Sequence, residues 1–429
     1  MVGEHDGDLN KIRDKYRPRI IDEVLKKELS AFGGVLITGP KSCGKSWTGS
    51  FHSNSVLYMG DEETNRYAEM NAKSALTGDH PRLIDEWQDV PKLWDLARRN
   101  IDLSAKKGMY IFTGSSVPPL DKTSHTGIGR FAQIHMRTLS LFESGDSSGT
   151  VSLSKLFAEG LTENAASKMN YSKVINLICR GGWPGALGVD DETAIGMSYQ
   201  YIESLKKMDM KRVDGRRRSE TMIDLVLRSL ARNNATSANV STIAADIRNT
   251  GSDVSEGTVR SYLDIFKKIF VIEEQQAWHP ALRSKMRLRT SPKRHFTDPS
   301  LAAAALDASP EVLDKDTKTA GFLFESLCFR DLSVYSSATG GRVRYYRDSN
   351  GLEADAIVES RDGKWGAVEM KMGTFEFDKA AKNLIHLKDK MVGAGYKEPS
   401  FLMILNVTGG AAHTRPDGVL EVPIDCLGP

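Results

Sequence analysis

The chain has 429 residues, of which 40% are hydrophobic and 27% charged, and its formal net charge is +2. That length suits about two to four domains, and the composition is that of a globular chain rather than a disordered one. So small a net charge excludes a global field drawing the chain to nucleic acid or membrane, so any such partner is held by a local patch. The four cysteines (Cys43, Cys179, Cys328, Cys426) form no CxxC pair, so neither a zinc site nor a disulfide framework is indicated. That usage fits a reducing cytoplasm. The first residues, Met1 to Arg19, are charged throughout, without the apolar core of a signal peptide. No apolar run approaches the roughly 18 residues that span a bilayer. The expectation is a soluble, cytoplasmic protein with no membrane partner.

The first predicted strand, Gly34 to Thr38, runs directly into GPKSCGKS, made of Gly39, Pro40, Lys41, Ser42, Cys43, Gly44, Lys45 and Ser46. This is G-x-x-x-x-G-K-[ST] between a buried strand and a helical stretch, the context that a P-loop requires. Gly39 and Gly44 let the backbone curl so that successive N–H groups face phosphate oxygens. Lys45 would reach the β- and γ-phosphates, and Ser46 would hold Mg2+. No guanine-reading Asn-Lys-x-Asp element is evident, so ATP is the expected nucleotide.

A second strand, Arg82 to Glu86, ends in an acidic pair. Asp85 would order the magnesium through water, and Glu86 would polarise the attacking water as general base. A third, Gly108 to Phe112, ends in Thr113-Gly114-Ser115-Ser116, and ligands of α/β sheets bind at the carboxyl ends of strands. Thr113 or Ser115 would sense the γ-phosphate there; a turn closed by local hydrogen bonds is the alternative.

The succession of GPKSCGKS, LIDEWQDVPKLWDLARRNID, YIFTGSS and GRFAQIHMRTLSLFE resembles a prokaryotic branch of the AAA+ ATPases. In that branch the Walker B strand reads IDE-x-Q and is followed by a Val-Pro-x-Leu helix. Here those residues are Asp85, Glu86, Gln88, Val90, Pro91 and Leu93. The family's Gly-Arg falls on Gly129-Arg130, and the resemblance implies that Arg130 acts on the γ-phosphate as an arginine finger or sensor. A surface arginine in a loop is the competing reading. The resemblance also implies a homo-oligomer with ATP sites completed across subunits. A short Walker B strand and the bulky Trp87 depart from the pattern without removing a catalytic group.

From about Val151 to Arg218 the pattern is mostly helical. Within it ICRGGWPGAL (Ile178 to Leu187) reads as a packing turn between helices, punctuated by Gly181, Gly182 and Pro184. Lys206 to Arg218 then holds seven basic residues against two acidic ones, either a solvated linker face or a contact for phosphate or acidic protein. Asn239 to Glu273 reads as a helix-turn-helix, with a helix from Val240, a turn at Asn249 to Ser252, and a second helix capped by Ser255. Val259, Tyr262, Leu263, Phe266 and Phe270 recur on that second helix at helical spacing. The resembled family places a winged helix here, a module that contacts either DNA or protein. Arg283, Lys285, Arg287, Arg289, Lys293 and Arg294 follow with no acid among them, suiting a phosphate-binding surface or the wet face of a strand.

In the last third, Leu352 to Val358 and Lys364 to Lys371 read as two strands of a hairpin. With a five-residue loop Glu359 faces Trp365, and counting back sets Asp355 opposite Glu369, with Cβ atoms only about 5 Å apart. Lys371 shares the face of Glu369. Two carboxylates that close are unfavourable unless a cation sits between them. The D…E-x-K set resembles the PD-(D/E)xK, restriction-endonuclease-like superfamily, whose acids bind magnesium and whose lysine positions or deprotonates water. The superfamily often adds a glutamate from an upstream helix, which falls here on Glu325. The resemblance therefore implies metal ligands at Glu325, Asp355 and Glu369, and a catalytic Lys371.

The expected architecture is α/β throughout: a P-loop AAA+ parallel-sheet domain (1–145), a helical lid or linker (146–218), a winged helix (219–285) and a restriction-endonuclease-like α/β domain (286–429). The leading expectation is an ATPase coupled to a metal-dependent nuclease domain acting on DNA. The rival is an ATP-dependent switch or scaffold whose later domains bind a partner without cutting it.

Overall fold

The computed structural model describes residues 6–115, 126–207, 215, 218–281, 283–284 and 290–429. They form two compact units, one of Met1–Thr138 with Lys268–Phe270, the other of Leu139–Lys267 with Val271–Pro429.

The first unit is built on a parallel sheet of β1 (Gly34–Thr38), β2 (Ser55–Tyr58), β3 (Arg82–Asp85), β4 (Tyr110–Gly114) and β5 (Phe131–His135). Their spatial order is β2-β3-β4-β1-β5, and every described pair is parallel. β1, β3 and β4 are buried along their whole length, which is why they read as unbroken apolar runs rather than alternating ones. Alternation instead divides two cores. Val35, Ile37, Leu83 and Ile111 pack with Leu25 on one face, and Leu36, Ile84, Tyr110 and Phe112 with Trp87 and Trp94 on the other. Trp87 therefore has a packing role: its ring stacks on Trp94 at 4.9 Å between centroids and meets Phe112 edge-on.

In the second unit, the helices Tyr171–Arg180, Asp191–Lys207 and Glu220–Arg232 all pack on Pro299–Ala305, an alanine-rich helix with no exposed residue. The Gly181-Gly182-Trp183 turn docks onto the start of that helix. The Gly182 N–H donates to Asp298 Oδ2 (2.9 Å), the Trp183 indole to Ser300 Oγ (3.0 Å), and Gly182 O accepts from Leu139 N (2.7 Å). A Cβ on Gly182 would stand 2.1 Å from Leu139 O, so only glycine fits. Asp298 also receives Arg330 Nη1 at 3.1 Å, and Arg330 grips Asp331 at 2.7 Å, a fully internal ion network.

The remaining strands are β6 (Val151–Ser152), β7 (Ala165–Ala166), β8 (Ile272–Gln275), β9 (Lys293–Phe296), β10 (Arg342–Arg347), β11 (Glu353–Glu359), β12 (Trp365–Lys371), β13 (Phe401–Asn406), β14 (Ala411–Thr414), β15 (Leu420–Pro423) and β16 (Leu427–Gly428). Seven of them form a mixed sheet in the order β10-β11-β12-β13-β15-β14-β7. The β11–β12 hairpin is interior to it, and the helices Thr317–Ala338 and Phe377–Gly393 pack on its strands. β8 and β9 form a separate antiparallel ribbon. Apart from Lys268–Phe270, the segments expected as lid, helix-turn-helix and nuclease-like domain thus share one compact unit: the helix Pro299–Ala305 is a common core for the three helices named above, and Val240–Arg248 packs on the last of them.

The helix pair in the middle has the expected bounds, Val240–Arg248 capped by Asn239, then Glu256–Lys268 behind Ser255. Phe270 is an exception to the expected apolar face: it lies past the helix end with φ of 57°. Among the described residues no helix is long and apolar enough to cross a membrane.

Candidate functional site

The loop between β1 and the helix Lys45–Phe51 carries six of the eight P-loop residues, Gly39 to Gly44, and Lys45 and Ser46 open the helix itself. Gly39 has φ of +154° and lies so close to β5's continuation that a Cβ would stand 2.1 Å from Met136 O. Lys45 is buried, and its ammonium donates to the carbonyls of Gly39 (3.0 Å) and Pro40 (2.7 Å). Cys43 is buried against Met136 O at 3.6 Å, whereas Lys41 and Ser42 are exposed.

The acidic pair ends β3, with β4 between it and β1. Asp85 is buried and accepts from the hydroxyls of Thr113 and Ser46. Burial raises its pKa above the ordinary range, with the Glu86 charge acting in the same direction and the two hydroxyls and Lys45 against it. Glu86 is half-buried with φ of 50°, a left-handed conformation uncommon for a side chain of this size. Its carboxylate accepts from Ser115 Oγ (2.7 Å) and from the Gln88 amide. Thr113 and Ser115 thus both hold the acidic pair, Thr113 at Asp85 and Ser115 at Glu86. Ser116 lies outside the described residues.

Arg130 is not brought to this site. It precedes β5, and β5 runs parallel to β1 with Phe131 beside Gly34, so Arg130 stands at the opposite end of the sheet from the P-loop. Its guanidinium pairs with Asp102 at 2.7 Å and is about half exposed. That placement corrects the sensor half of the expectation, which needs this chain's own γ-phosphate, whereas an arginine finger would act on a neighbouring subunit's nucleotide. Arg137 enters at the right end: it follows Met136, whose N–H donates to Thr38 O (2.8 Å). Sequence reasoning passed over Arg137, and only the strand direction could have singled it out. It also missed the Tyr16–Asp22 segment. Arg19 donates to Cys43 O (3.0 Å) and Arg137 O (2.9 Å). The Tyr16 hydroxyl donates to Asp22 (2.7 Å) and lies 2.9 Å from Thr48 Oγ1 on the helix after the P-loop.

The second constellation is the hairpin. Glu359 pairs with Trp365 and Ala356 with Val368, and one further step in that register sets Asp355 opposite Glu369. Lys371 Nζ lies 3.1 Å from Asp355 Oδ2 and 2.7 Å from Glu369 Oε2, and Met370 N–H donates to Asp355 (2.9 Å). Burial and the Asp355 charge push Glu369 up to about 8, against the pull of Lys371. Burial acts on Asp355 too, but Lys371, Lys293 and the Met370 N–H outweigh it and hold that carboxylate below its usual range. Glu325 comes from the helix Thr317–Ala338, and burial with the Asp355 charge lifts it to about 7.

The side chain between Glu325 and Asp355 is Lys293. Its ammonium lies 2.7 Å from Glu325 Oε1, 2.9 Å from Glu353 Oε1 and 3.7 Å from Asp355 Oδ1, with only 5% of the side chain exposed. Burial disfavours the charge, but these three acids raise its pKa well above the lysine norm. Among the described residues no group of three or more His, Cys, Asp or Glu side chains is arranged to hold a metal ion. The expected ligand set of Glu325, Asp355 and Glu369 is instead interleaved with two ammoniums. Lys293 and Glu353 are the members of this cluster that sequence reasoning missed. Lys293 was expected on a phosphate-binding surface or the wet face of a strand, as was Arg294, which donates to Ala238 O and lies 3.6 Å from Glu274. Their placement corrects that expectation for both. Lys285, Arg287 and Arg289, and from the earlier basic stretch Lys211, Arg212, Arg216 and Arg217, lie outside the described residues.

Three family models match the chain. Residues 32–144 match an AAA domain, residues 171–312 a domain of unknown function (DUF8612), and residues 320–427 another (DUF4143). No curated protein matches. Among solved structures, a Walker-type ATPase of Pyrococcus abyssi is similar at 14% identity with a TM-score of 0.43, over 68% of this chain and 97% of that one. The replication initiator DnaA bound to AMPPCP and single-stranded DNA is similar at 12% identity and a TM-score of 0.29, over 59% and 91% of the two chains. AMPPCP-bound DnaA from Aquifex aeolicus is similar at 14% identity and a TM-score of 0.27, over 62% and 89%. The AAA match, the P-loop and the parallel sheet together make the first unit an ATP-binding P-loop domain of the AAA ATPase type.

Proposed function

We propose that this chain is an ATP-hydrolysing switch whose cycle governs a restriction-endonuclease-like second unit that binds DNA. The observation that carries the ATP chemistry is the acidic pair at the end of β3. Asp85 is joined to Ser46 of the P-loop, and Glu86 is held by Ser115 and Gln88. A hydroxyl and a carboxylate facing each other suit a hard cation carried in with the phosphates, so Ser46 and Asp85 would hold Mg2+. Bound there, that cation would supply charge neutralisation between the β- and γ-phosphates. Lys45 exchanges its carbonyl partners for phosphate oxygens. Glu86, aimed by Ser115 and Gln88, takes the proton of the attacking water at its carboxylate. Turnover of Mg-ATP by wild type and by Lys45→Ala tests this: equal rates for the two reject the hydrolytic site.

Support for the DNA partner is the helix pair Val240–Arg248 and Glu256–Lys268 followed by the β8–β9 ribbon, the element order of a winged helix. The resemblance to AAA+ proteins supports a homo-oligomer, checked by light scattering with and without ATP. All four cysteines are free and buried, which suits a reducing cytoplasm. A second reading, Mg2+-dependent cleavage through Glu325, Asp355, Glu369 and Lys371, has the D…E-x-K side chains together on the β11–β12 hairpin in its favour but requires Lys293 to leave its place among the acids. Plasmid cleavage in Mg2+ or Mn2+ by wild type, compared with Lys371→Ala, tests it; equal products from both, or none, remove the cleavage reading.

A further inference from the structure

We propose that the Lys293 ammonium is the resident cation of the C-terminal carboxylate cluster, standing where a divalent metal would otherwise be needed. The inference concerns the second unit alone and stands whatever the P-loop does. Carboxylates crowded into one buried place require a positive charge among them. Glu325, Glu353 and Asp355 arrive from a helix and a strand and converge on one nitrogen, at 2.7, 2.9 and 3.7 Å. These are ammonium distances; a magnesium ion would draw its oxygens in to about 2.0–2.1 Å. Lys371 serves the other half of the cluster, bridging Asp355 and Glu369. Asp355 thus lies between two lysines, and each of the four acids has a lysine partner.

The lysine is built in rather than leaning over from the surface. β9 is fixed by His295, two residues on and so on the same face as Lys293. His295 lies buried between Ser326 Oγ (Nδ1, 2.7 Å) and Gln275 Oε1 (Nε2, 3.0 Å), and its ring stacks on Phe329 at 4.3 Å. Ser326 is the residue after Glu325, so the contact that sets the register of β9 also sets Lys293 against Glu325. Gln275 in turn donates to Asp355 O (2.9 Å), tying the ribbon to β11. The Lys293 ammonium also lies 5.5 Å from the centre of the Tyr345 ring.

The residues present therefore do not fit a divalent cation while Lys293 keeps its place. On this basis the second unit holds its partner without metal-dependent cutting. The test uses the full chain, free of nucleotide, and Mn2+ as the probe. Binding is followed by calorimetry and by the Mn2+ spin-resonance signal in wild type, Lys293→Met, and Lys293→Met combined with Asp355→Asn. We expect no Mn2+ site in wild type that depends on Asp355. Lys293→Met should gain about one bound Mn2+ per chain, and the double variant should lose it again. A folded Lys293→Met that gains no site overturns the proposal. So does a wild-type Mn2+ site abolished by Asp355→Asn. If Lys293→Met does not fold, the wild type decides. An equal melting temperature in EDTA and in Mn2+ supports the proposal. A rise in Mn2+ that Asp355→Asn removes overturns it.

Discussion

At the P-loop, Lys45 donates its hydrogen bonds to the backbone carbonyls of Gly39 and Pro40, while Asp85 and Glu86 are held by hydroxyls and an amide. In the carboxylate cluster, Lys293 and Lys371 give theirs to Glu325, Glu353, Asp355 and Glu369. Both places combine lysines with acids, but the charges meet different partners. Neutral dipoles can be exchanged for phosphate or metal at small electrostatic cost, so the first arrangement is ready for a charged ligand. Opposite charges that already neutralise each other must be pulled apart before a ligand enters, a cost that grows in a low-dielectric interior. The comparison separates a site that receives a ligand from a site that is internally complete.

The largest expected effect tests the receiving side. Glu86→Gln keeps the shape and the Ser115 contact but removes the proton acceptor, so turnover should fall by about 10²–10⁴-fold. ATP affinity, read by a fluorescent analogue, should stay within a few-fold, because Lys45 and the loop N–H groups are untouched. Loss of binding in step with turnover would mean that Glu86 holds the loop together rather than serving the reaction.

The next effect calibrates a complete charge network. Arg330 is buried between Asp298 and Asp331, and Asp331 also accepts from Leu141 N–H (3.0 Å). Arg330→Met strands two buried carboxylates, and breaking such a network typically costs about 3–5 kcal/mol. Urea denaturation of wild type and variant measures it. A cost under about 1 kcal/mol, the level of a surface pair, would mean that water reaches these groups.

A double-mutant cycle carries the same logic to the carboxylate cluster. Lys293→Met alone should destabilise the second unit by leaving its acids facing one another. Adding Glu325→Gln should recover part of that loss, with a coupling of about 0.5–3 kcal/mol. Strict additivity of the two changes would break the comparison, since it would show that the ammonium and the carboxylate do not depend on each other.

The P-loop side was far more legible in the sequence than the cluster. β1 has the expected bounds, Gly34–Thr38, because a short apolar run before a glycine-rich loop is a local signal. The β11–β12 register was also readable, since loop length determines which residues face each other and Glu359 does meet Trp365. Lys293 was not readable. It bonds Glu325, 32 positions away, and a buried lysine looks like a solvated one until the fold closes around it. The middle of the chain shows both outcomes. Gly182 was recognised as a packing turn, but its neighbour in space, Asp298, lies 116 positions on. Arg130 shows another limit of the motif, which carries residue order but not which end of a parallel strand a residue occupies, and so does not separate a sensor in the same chain from a finger on a neighbouring one.

Arg130 also supplies the smallest expected effect and the finest test of the receiving site. Its guanidinium is about half exposed and paired with Asp102, which Arg98 also reaches at 2.7 Å. Exposed pairs of this kind contribute little to stability. Placed at the amino end of β5, Arg130 has no route to a phosphate bound at the carboxyl end of β1 in the same chain. Arg130→Ala should therefore leave ATP turnover of the isolated chain within about two-fold, whereas an arginine finger contributes about 10³–10⁵-fold. A loss on that larger scale that appears only as protein concentration rises would place Arg130 on a neighbouring subunit's nucleotide. The receiving site would then be completed by a second copy of the chain. An unchanged rate at every concentration would leave the charge work at the phosphates to groups at the carboxyl end of the sheet, with Arg137 the first to substitute.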